Sequence, residues 1–247
     1  GDDEIFSFVL PPLKFSVEGT VLDKKSEDPL QNATVKLVGS DGMTMSSKTG
    51  EDGKFKFMLR PETDYVFVAS KEKYLTNKGK ASTQGLEESK TFKREIPLSS
   101  IEEPIELPNI FYDFNEWSLR AESKDALNRL VETLNDNPRV VIELRAHTDF
   151  RGKHWFNVEL STKRAESVVN YLIEHGIDSE RLRAKGFAAT QPKQVGPKLA
   201  ARHDFLEEGE VLTEAFIKNL ETEEQRETAH QINRRTEFKV IATDFEP

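Results

Sequence analysis

The 247-residue chain contains no cysteine, and this absence excludes disulfide bridges, thiolate zinc sites and cysteine-based catalysis. Long hydrophobic runs are also missing: no stretch of roughly 18 apolar residues occurs, so no membrane-spanning helix is predicted. The five histidines are scattered and form no metal-binding or catalytic grouping with serine, aspartate or glutamate. The sequence therefore predicts a protein without enzymatic activity, bound metal or cofactor.

Basic residues are in the minority, because 35 lysines and arginines face 44 acidic residues and the formal net charge is −9. Such a chain has no electrostatic attraction to nucleic acid or anionic membranes, so neither is expected as a partner. Much of the acidic excess lies in residues 206–227, where eight glutamates accompany only Lys218 and Arg226. We interpret residues 195–230, approximately, as an acidic insertion with a solvated surface.

The N-terminal residues 1–13 lack the features of an export signal. The start, GDDE, has neither a basic region nor an apolar core, and no cysteine is present to accept a lipid. We expect any signal and membrane anchor of the natural protein to lie upstream, with residues 1–13 as a lead-in to the first domain.

Residues 14–98 alternate between apolar and polar side chains in short runs, as β-strands do. The clearest runs are 15–21, 33–38, 54–59 and 64–69, separated by turns with Asp-Pro, Asp-Gly or Arg-Pro pairs. About seven such strands predict an all-β sandwich. The succession of a strand, an acidic proline turn, a second strand and the hairpin TGEDGKF at 49–55 resembles the carboxypeptidase regulatory-like (transthyretin-like) domain.

Three carboxylates of this segment, Asp41, Glu51 and Asp52, have two interpretations. Carboxylates beside glycines can bind calcium, but Asp-Gly pairs also supply the geometry of tight turns. The ligand spacing of an EF-hand is absent, so we expect turns.

The pattern changes after residue 98. Residues 99–108 (SSIEEPIELP) predict an extended, semi-rigid linker, because prolines restrict both themselves and the residues before them. Beyond it, strands are predicted at 110–114, 140–146, 182–188 and 236–242, and helices at 126–134, about 156–175 and 211–231. This alternation predicts that residues 109–247 form an α/β sandwich with helices packed on one mixed sheet.

The helix predicted at about 156–175 carries a charge on its apolar side. With residues placed about 100° apart, Asn157, Ser161 and Arg164 lie in the half of the helix that is otherwise leucine, valine and alanine. Burying an unpartnered guanidinium costs several kcal/mol. Spacing alone leaves two interpretations: Arg164 forms an internal ion pair, for example with Asp149 or Glu143, or it lines a pocket at the rim of the core.

The same helix belongs to a longer motif. A strand ends in HTD (147–149), a glycine turn follows at 152, the helix carries N at 157 and LSTKRA at 160–165, and NRRTE occupies 233–237. This order, TDxxG…NxxLSxxRA…NRRxE, resembles the OmpA-like peptidoglycan-binding domain over roughly residues 105–243. Ala146 stands where the family usually has glycine, and the 40 or so residues between Pro192 and Asn233 are more than many members have.

The resemblance implies a site for meso-diaminopimelate, a stem-peptide residue whose free end has an ammonium and a carboxylate on one carbon. It implies that Asp149 binds the ammonium and that Arg164 binds the carboxylate through two N–H donors. The further contacts that it implies come from Thr148, Asn157, Leu160, Tyr112, Asp113, Phe114 and Arg235.

Several of these side chains have simpler structural roles open to them. Arg235 can anchor the last strand, and Asn157 can partly cap its helix. We expect His147 to be a hydrogen-bonded core histidine, and we expect Trp155 to cover the core rather than to stack on a sugar.

Together these features favour a non-enzymatic cell-wall anchor. The expected partner is the peptidoglycan stem peptide, bound in the periplasm by an outer-membrane-associated protein whose β-sandwich contacts other envelope proteins. A β-sandwich directly before an OmpA-like domain resembles outer-membrane lipoproteins of the PorE type, which are associated with type IX secretion. The alternative is a structural assembly protein whose sandwich and acidic insertion bind protein partners, with wall binding secondary or lost.

Overall fold

The computed structural model describes residues 12–113 and 115–246. The chain divides into two compact units, Gly1–Ser100 and Ile101–Pro247. Phe114, one of the expected site residues, lies outside the described residues. Within the described parts of the chain, no helix is both long and apolar enough to cross a membrane.

The first unit is a β-sandwich of two sheets. Its strands are β1 (Phe15–Asp23), β2 (Thr34–Gly39), β3 (Thr44–Lys48), β4 (Lys54–Leu59), β5 (Asp64–Ser70), β6 (Asn77–Ser82) and β7 (Lys90–Leu98). One sheet has the order β4-β1-β7 and the other β3-β2-β5-β6. β1 runs antiparallel to β4 and parallel to β7. The predicted all-β sandwich is confirmed.

The alternating pattern decides which side of each strand is buried. In β2, Val35 and Leu37 are fully buried while Lys36 is exposed, and in β5 Tyr65 and Phe67 are buried in the same way. Apolar side chains from both sheets form one core cluster. Each large side chain buried in it contributes about 1.5–3 kcal/mol, so the alternating pattern favours two sheets that bury their apolar faces against each other.

The acidic residues between these strands form turns, as expected. Asp41 Oδ1 accepts a hydrogen bond from the Met43 backbone at 3.0 Å, and Asp52 Oδ1 accepts one from the Lys54 backbone at 3.1 Å. Among residues 12–113 and 115–246, no group of three or more histidine, aspartate or glutamate side chains could hold a metal ion.

The second unit contains four strands and five α-helices among its described residues. They are β8 (Ile105–Glu106), α1 (Lys124–Asp136), β9 (Val141–His147), α2 (His154–Glu174), β10 (Leu182–Ala188), α3 (Pro197–Ala200), α4 (Glu214–Lys218), α5 (Glu223–Asn233) and β11 (Thr236–Ala242). The sheet order is β10-β9-β11-β8, with β9 parallel to β10 and antiparallel to β11. The predicted mixed sheet is confirmed.

Helix α2 packs on β9 and β10 and approaches β10 closely. Ala165, Val168 and Leu172 are fully buried along it. At Gly186 of β10, an added Cβ would lie 2.3 Å from the backbone nitrogen of Thr162, so only glycine permits this approach. The close contact holds the N-terminal half of α2, with the motif residues, against the end of the sheet.

Two predicted elements that precede α1 differ from the structure. Within the expected linker, β8 pairs with β11, because an extended segment can hydrogen-bond to the free edge of that strand. Of the predicted strand 110–114, the described residues 110–113 contain only an isolated bridge, between Tyr112 and Leu119. Asn109 and Asn115 have φ values of 64° and 58°, which end the extended run on both sides.

The predicted helix 211–231 is two helices, α4 and α5. Thr222 starts the second one: its hydroxyl accepts from the Gln225 backbone, and the Gln225 side chain accepts from the Thr222 backbone.

The insertion also has a small core of its own. Its members, fully or partly buried, are Val195, Leu199, Ala200, Phe205, Leu206, Leu212, Phe216, Ile217, Leu220, Ala229, Ile232 and, from the loop after β9, Phe150.

Candidate binding site

The loop after β9 is fixed at its base by a bulge in the neighbouring strand. The pairing of β9 with β10 shifts register between Gly186 and Ala188, and Ala188 has a φ of 47°. Ala188 donates its N–H to Ser161 Oγ at 3.0 Å, and its carbonyl accepts from the Thr148 backbone at 2.9 Å. Thr148 and Asp149 therefore leave the strand in a fixed direction, and both are buried.

Asn157 fixes the far side of this loop. Its amide donates to the carbonyls of Asp149 at 3.3 Å and Arg151 at 2.9 Å. Gly152 makes the turn between Arg151 and the start of α2 with a φ of 91°, a conformation that residues with a side chain rarely adopt. The structure thus gives Asn157 a role in holding the loop.

Asp149 is surrounded by guanidinium groups from two directions. Arg151 donates its backbone N–H to Oδ1 at 3.0 Å, and its Nε and Nη2 to Oδ2 at 3.0 and 2.7 Å. Arg234, directly after α5, donates from Nη1 to the same Oδ2. Burial alone would raise the pKa of Asp149, but the hydrogen bonds from both arginines lower it below its usual value. The carboxylate is therefore charged at neutral pH.

Glu227 of α5 binds the other ends of the same two arginines. Arg151 Nη1 lies 2.7 Å from Glu227 Oε2, and Arg234 Nη2 lies 2.7 Å from Glu227 Oε1. Asp149, Arg151, Glu227 and Arg234 thus alternate in charge around a closed arrangement, which we call the four-residue ring. His230 Nδ1 lies 4.0 Å from Asp149 Oδ2, and burial lowers the pKa of His230, so this histidine is neutral at pH 7.

Arg164 has a different environment. It is 8% exposed, and its Nε and Nη2 donate to the backbone carbonyls of Glu116 at 2.9 Å and Asp113 at 3.4 Å. Its guanidinium lies over the Tyr112 ring, 4.7 Å from the centroid. Among residues 12–113 and 115–246, no carboxylate forms an ion pair with Arg164. Neither suggested internal partner does so: Asp149 binds Arg151 and Arg234, and Glu143 Oε1 lies 3.3 Å from Arg145 Nε.

Tyr112 contacts both the side chain and the backbone of Arg164. Its hydroxyl donates to the Arg164 carbonyl at 3.2 Å, and burial raises the pKa of Tyr112 to about 12. The phenol therefore remains a neutral donor throughout the physiological range. Asp113 contributes its carbonyl, while its side chain is largely exposed.

Arg235 belongs to a separate cluster. Its Nε donates to Glu237 Oε2 at 3.1 Å, and its Nη1 and Nη2 each lie 3.2 Å from the Gln191 carbonyl. His147 Nε2 lies 3.1 Å from Glu237 Oε1, which confirms the expectation of a hydrogen-bonded core histidine. Burial alone would raise the pKa of Glu237, but the His147 hydrogen bond and the Arg235 charge lower it to about 2. These contacts anchor β11 to β9.

The remaining expected site residues lie close to the loop or on α2. Thr148 donates its hydroxyl to the Asp149 carbonyl at 3.1 Å, and Leu160 is buried one turn before Arg164. Trp155 is 63% exposed and meets Phe156 edge-on with centroids 6.0 Å apart. The expectation that Trp155 covers the core is wrong, since it lies at the exposed start of α2.

Sequence reasoning missed three residues of this site: Arg151, Glu227 and Arg234. Arg151 lies two residues after Asp149, and Arg234 lies directly before Arg235. Both are therefore charged residues within the motif. Glu227 carried no local signal, because its role depends on how α5 folds back toward the loop after β9.

Comparison with known proteins agrees with this architecture. Residues 111–203 match the OmpA family, and residues 16–92 match the carboxypeptidase regulatory-like domain. The second unit contains an OmpA-family domain. The matched segment of this domain includes Asp149 and Arg164, whereas α5 and β11 lie beyond its end.

Two curated relatives and one solved structure illustrate the match. The peptidoglycan-associated lipoprotein of Rhizobium meliloti is 30% identical over 86 residues, 35% of this chain and 49% of that protein. The photosystem I P700 chlorophyll a apoprotein A2 of Gloeobacter violaceus is 37% identical over 84 residues, 34% of this chain and 10% of that protein. The crystal structure of the peptidoglycan-associated lipoprotein from Burkholderia pseudomallei is 22% identical, with a TM-score of 0.38, covering 53% of this chain and 87% of that one. This chain thus spans a tenth to a half of the length of these curated relatives.

Proposed function

We propose that the OmpA-family domain binds peptidoglycan non-covalently and anchors an envelope assembly to the cell wall. The ligand group is the free amino-acid end of meso-diaminopimelate in the stem peptide. The observation that carries the proposal is Arg164, a buried guanidinium without an ion-pair partner among the described residues. A ligand carboxylate supplies the missing counter-charge.

The charges around Arg164 also favour an anionic group. Three guanidinium groups, from Arg151, Arg164 and Arg234, accompany two carboxylates, from Asp149 and Glu227. One positive charge is therefore in excess, which suits one carboxylate of the ligand. Asp149 Oδ1 accepts only the Arg151 backbone N–H among the described residues, so it retains acceptor capacity for the ligand ammonium.

The relatives support the same function. The Rhizobium meliloti relative is a peptidoglycan-associated lipoprotein, and it is 30% identical to this chain over 86 residues. We propose that the protein lies in the periplasm, associated with the outer membrane. The preceding carboxypeptidase regulatory-like domain fits a contact module for other envelope proteins, including a type IX secretion assembly.

Sedimentation with purified sacculi tests the proposal. The full chain should co-sediment with sacculi that contain diaminopimelate and bind lysine-type sacculi far more weakly, because lysine lacks the second carboxylate. Arg164→Leu should weaken binding by roughly tenfold to a hundredfold, the cost of one charge-assisted contact. Arg183→Leu, at the opposite end of β10, is the matched control and should bind normally. Equal binding by both variants would contradict the assignment.

A further inference from the structure

Helix α5 contributes a residue to the candidate site that lies outside the segment matched to the OmpA family. The match ends at residue 203, whereas Glu227 lies in α5 and contacts two arginines of the site. The helix is well anchored: Ala229 is fully buried in the core of the insertion, and Asn233 accepts from the Lys193 backbone and donates to the Leu212 carbonyl at 2.8 Å each.

Glu227 and Asp149 share the same two arginines. Arg151 donates to Asp149 Oδ2 and Glu227 Oε2 at 2.7 Å each, and Arg234 contacts both carboxylates as well. Each guanidinium is thus divided between two acceptors. Because Glu227 takes part of the donor capacity of both arginines, Oδ1 of Asp149 is left with a single backbone donor among the described residues.

Glu227 also sets the net charge that a ligand meets. The four-residue ring is neutral, and Arg164 adds one positive charge beside it. Without the Glu227 charge, the same group of side chains would carry two positive charges in excess. Such a site attracts any carboxylate more strongly and repels an ammonium more strongly.

We propose that Glu227 is a specificity-determining residue that makes the site select a zwitterion over a simple carboxylate. This inference rests on the proposed function, since it concerns how the same site distinguishes its ligand. Glu227 does so at a distance, by holding Arg151 and Arg234 so that Asp149 remains available to an ammonium. The acidic insertion therefore contributes to ligand selection through one of its glutamates.

Calorimetric titration of the full chain tests the inference with two ligands of matched length. Meso-diaminopimelate carries two ammonium–carboxylate ends, and pimelate has the same seven-carbon chain and both carboxylates but no amines. The variant is Glu227→Gln, and the control is Glu224→Gln, which removes an exposed charge from the same helix. Thermal melts of both variants verify folding. Should Glu227→Gln fail to fold, Glu227→Ala, which removes the same charge, replaces it and should lose the same preference.

The wild-type chain should prefer diaminopimelate to pimelate. In Glu227→Gln this preference should fall by about fivefold or more, from weaker diaminopimelate binding and stronger pimelate binding, as expected for loss of one partly exposed charge. Glu224→Gln should keep the wild-type preference. An unchanged preference in Glu227→Gln overturns the inference alone, whereas a wild-type chain that binds no diaminopimelate overturns the proposed function as well.

Discussion

At the scale of single residues, two buried arginines of the OmpA-family domain illustrate different uses of the same side chain. Arg181 donates to the carbonyls of Val140, Leu134 and Asn137 at 2.8–3.0 Å, so its guanidinium is satisfied by the backbone around the end of α1. Arg164 has two backbone acceptors, both from exposed residues, and it lies over an aromatic ring. Burial alone therefore does not distinguish the two arginines. Arg164 makes fewer backbone hydrogen bonds than Arg181, and this unused donor capacity is the reason that we propose it as a ligand-binding residue.

The buried Glu237 gives a prediction on pH at the same scale. Its pKa of about 2 is below its ordinary value, so its contribution to stability is complete above pH 4.5 and is lost as the pH falls toward 2. The wild type should therefore be more stable than Glu237→Gln at pH 7, by at most about 3 kcal/mol. That advantage should shrink between pH 4.5 and 2. Urea unfolding of both proteins across this range measures it, and a pH-independent difference would contradict the assignment.

At the scale of elements, the contact of α2 with β10 positions the motif residues. Gly186→Ala places a Cβ 2.3 Å from the Thr162 backbone, so helix and strand must move apart. Overpacking of this kind costs about 1–3 kcal/mol. Gly196→Ala is the control, because nothing lies within 4 Å of its added Cβ. Denaturant unfolding should show a clear loss of stability for Gly186→Ala only; equal stability of the two variants would refute the close-contact argument.

The acidic insertion gives a second prediction about an element. The sequence suggests that its glutamates form a solvated face dispensable for wall binding, and the structure singles out Glu227 as the exception. A quadruple variant that changes Glu207, Glu208, Glu221 and Glu224 to Gln leaves the four-residue ring intact. Its binding to sacculi should remain within about threefold of wild type, since exposed, screened charges contribute little. A larger loss in the sedimentation assay would show that the acidic face itself contacts the wall.

At the scale of the whole molecule, periodicity predicted most of the architecture. The apolar side chains of β2 and β5 alternate, and those of α2 form a stripe along the helix. These patterns show which side of each element is buried, so the elements could be predicted. The predicted helix 211–231 was wrong as a single element, because the Thr222 capping box interrupts it. The contacts around Asp149 could not be predicted, since Arg234 binds Asp149 and Glu227 binds Arg151 from more than 70 residues away. Long-range pairing of charges leaves no local pattern in a sequence.

The division into two units gives a prediction for the whole chain. Residues 101–247 should fold alone and bind sacculi, while residues 1–100 should fold and not bind, because the candidate site lies entirely in the second unit. The fragment must begin before Ile105, since β8 pairs with β11. Circular dichroism and sacculus sedimentation of both fragments test this division. Co-sedimentation of the first unit by itself would show that it also binds the wall.

The most direct test of the central claim is the effect of free meso-diaminopimelate on thermal unfolding of the full chain and of Arg164→Leu. A ligand that binds only the folded state raises the melting temperature, by about 5 °C or more near a hundredfold excess over its Kd. We expect this rise for the wild type with diaminopimelate and not with lysine. Arg164→Leu should fold, since both carbonyls that it releases belong to exposed residues, and should show no rise. A wild-type chain that gains no stability from diaminopimelate, or a variant that gains as much, would contradict the account.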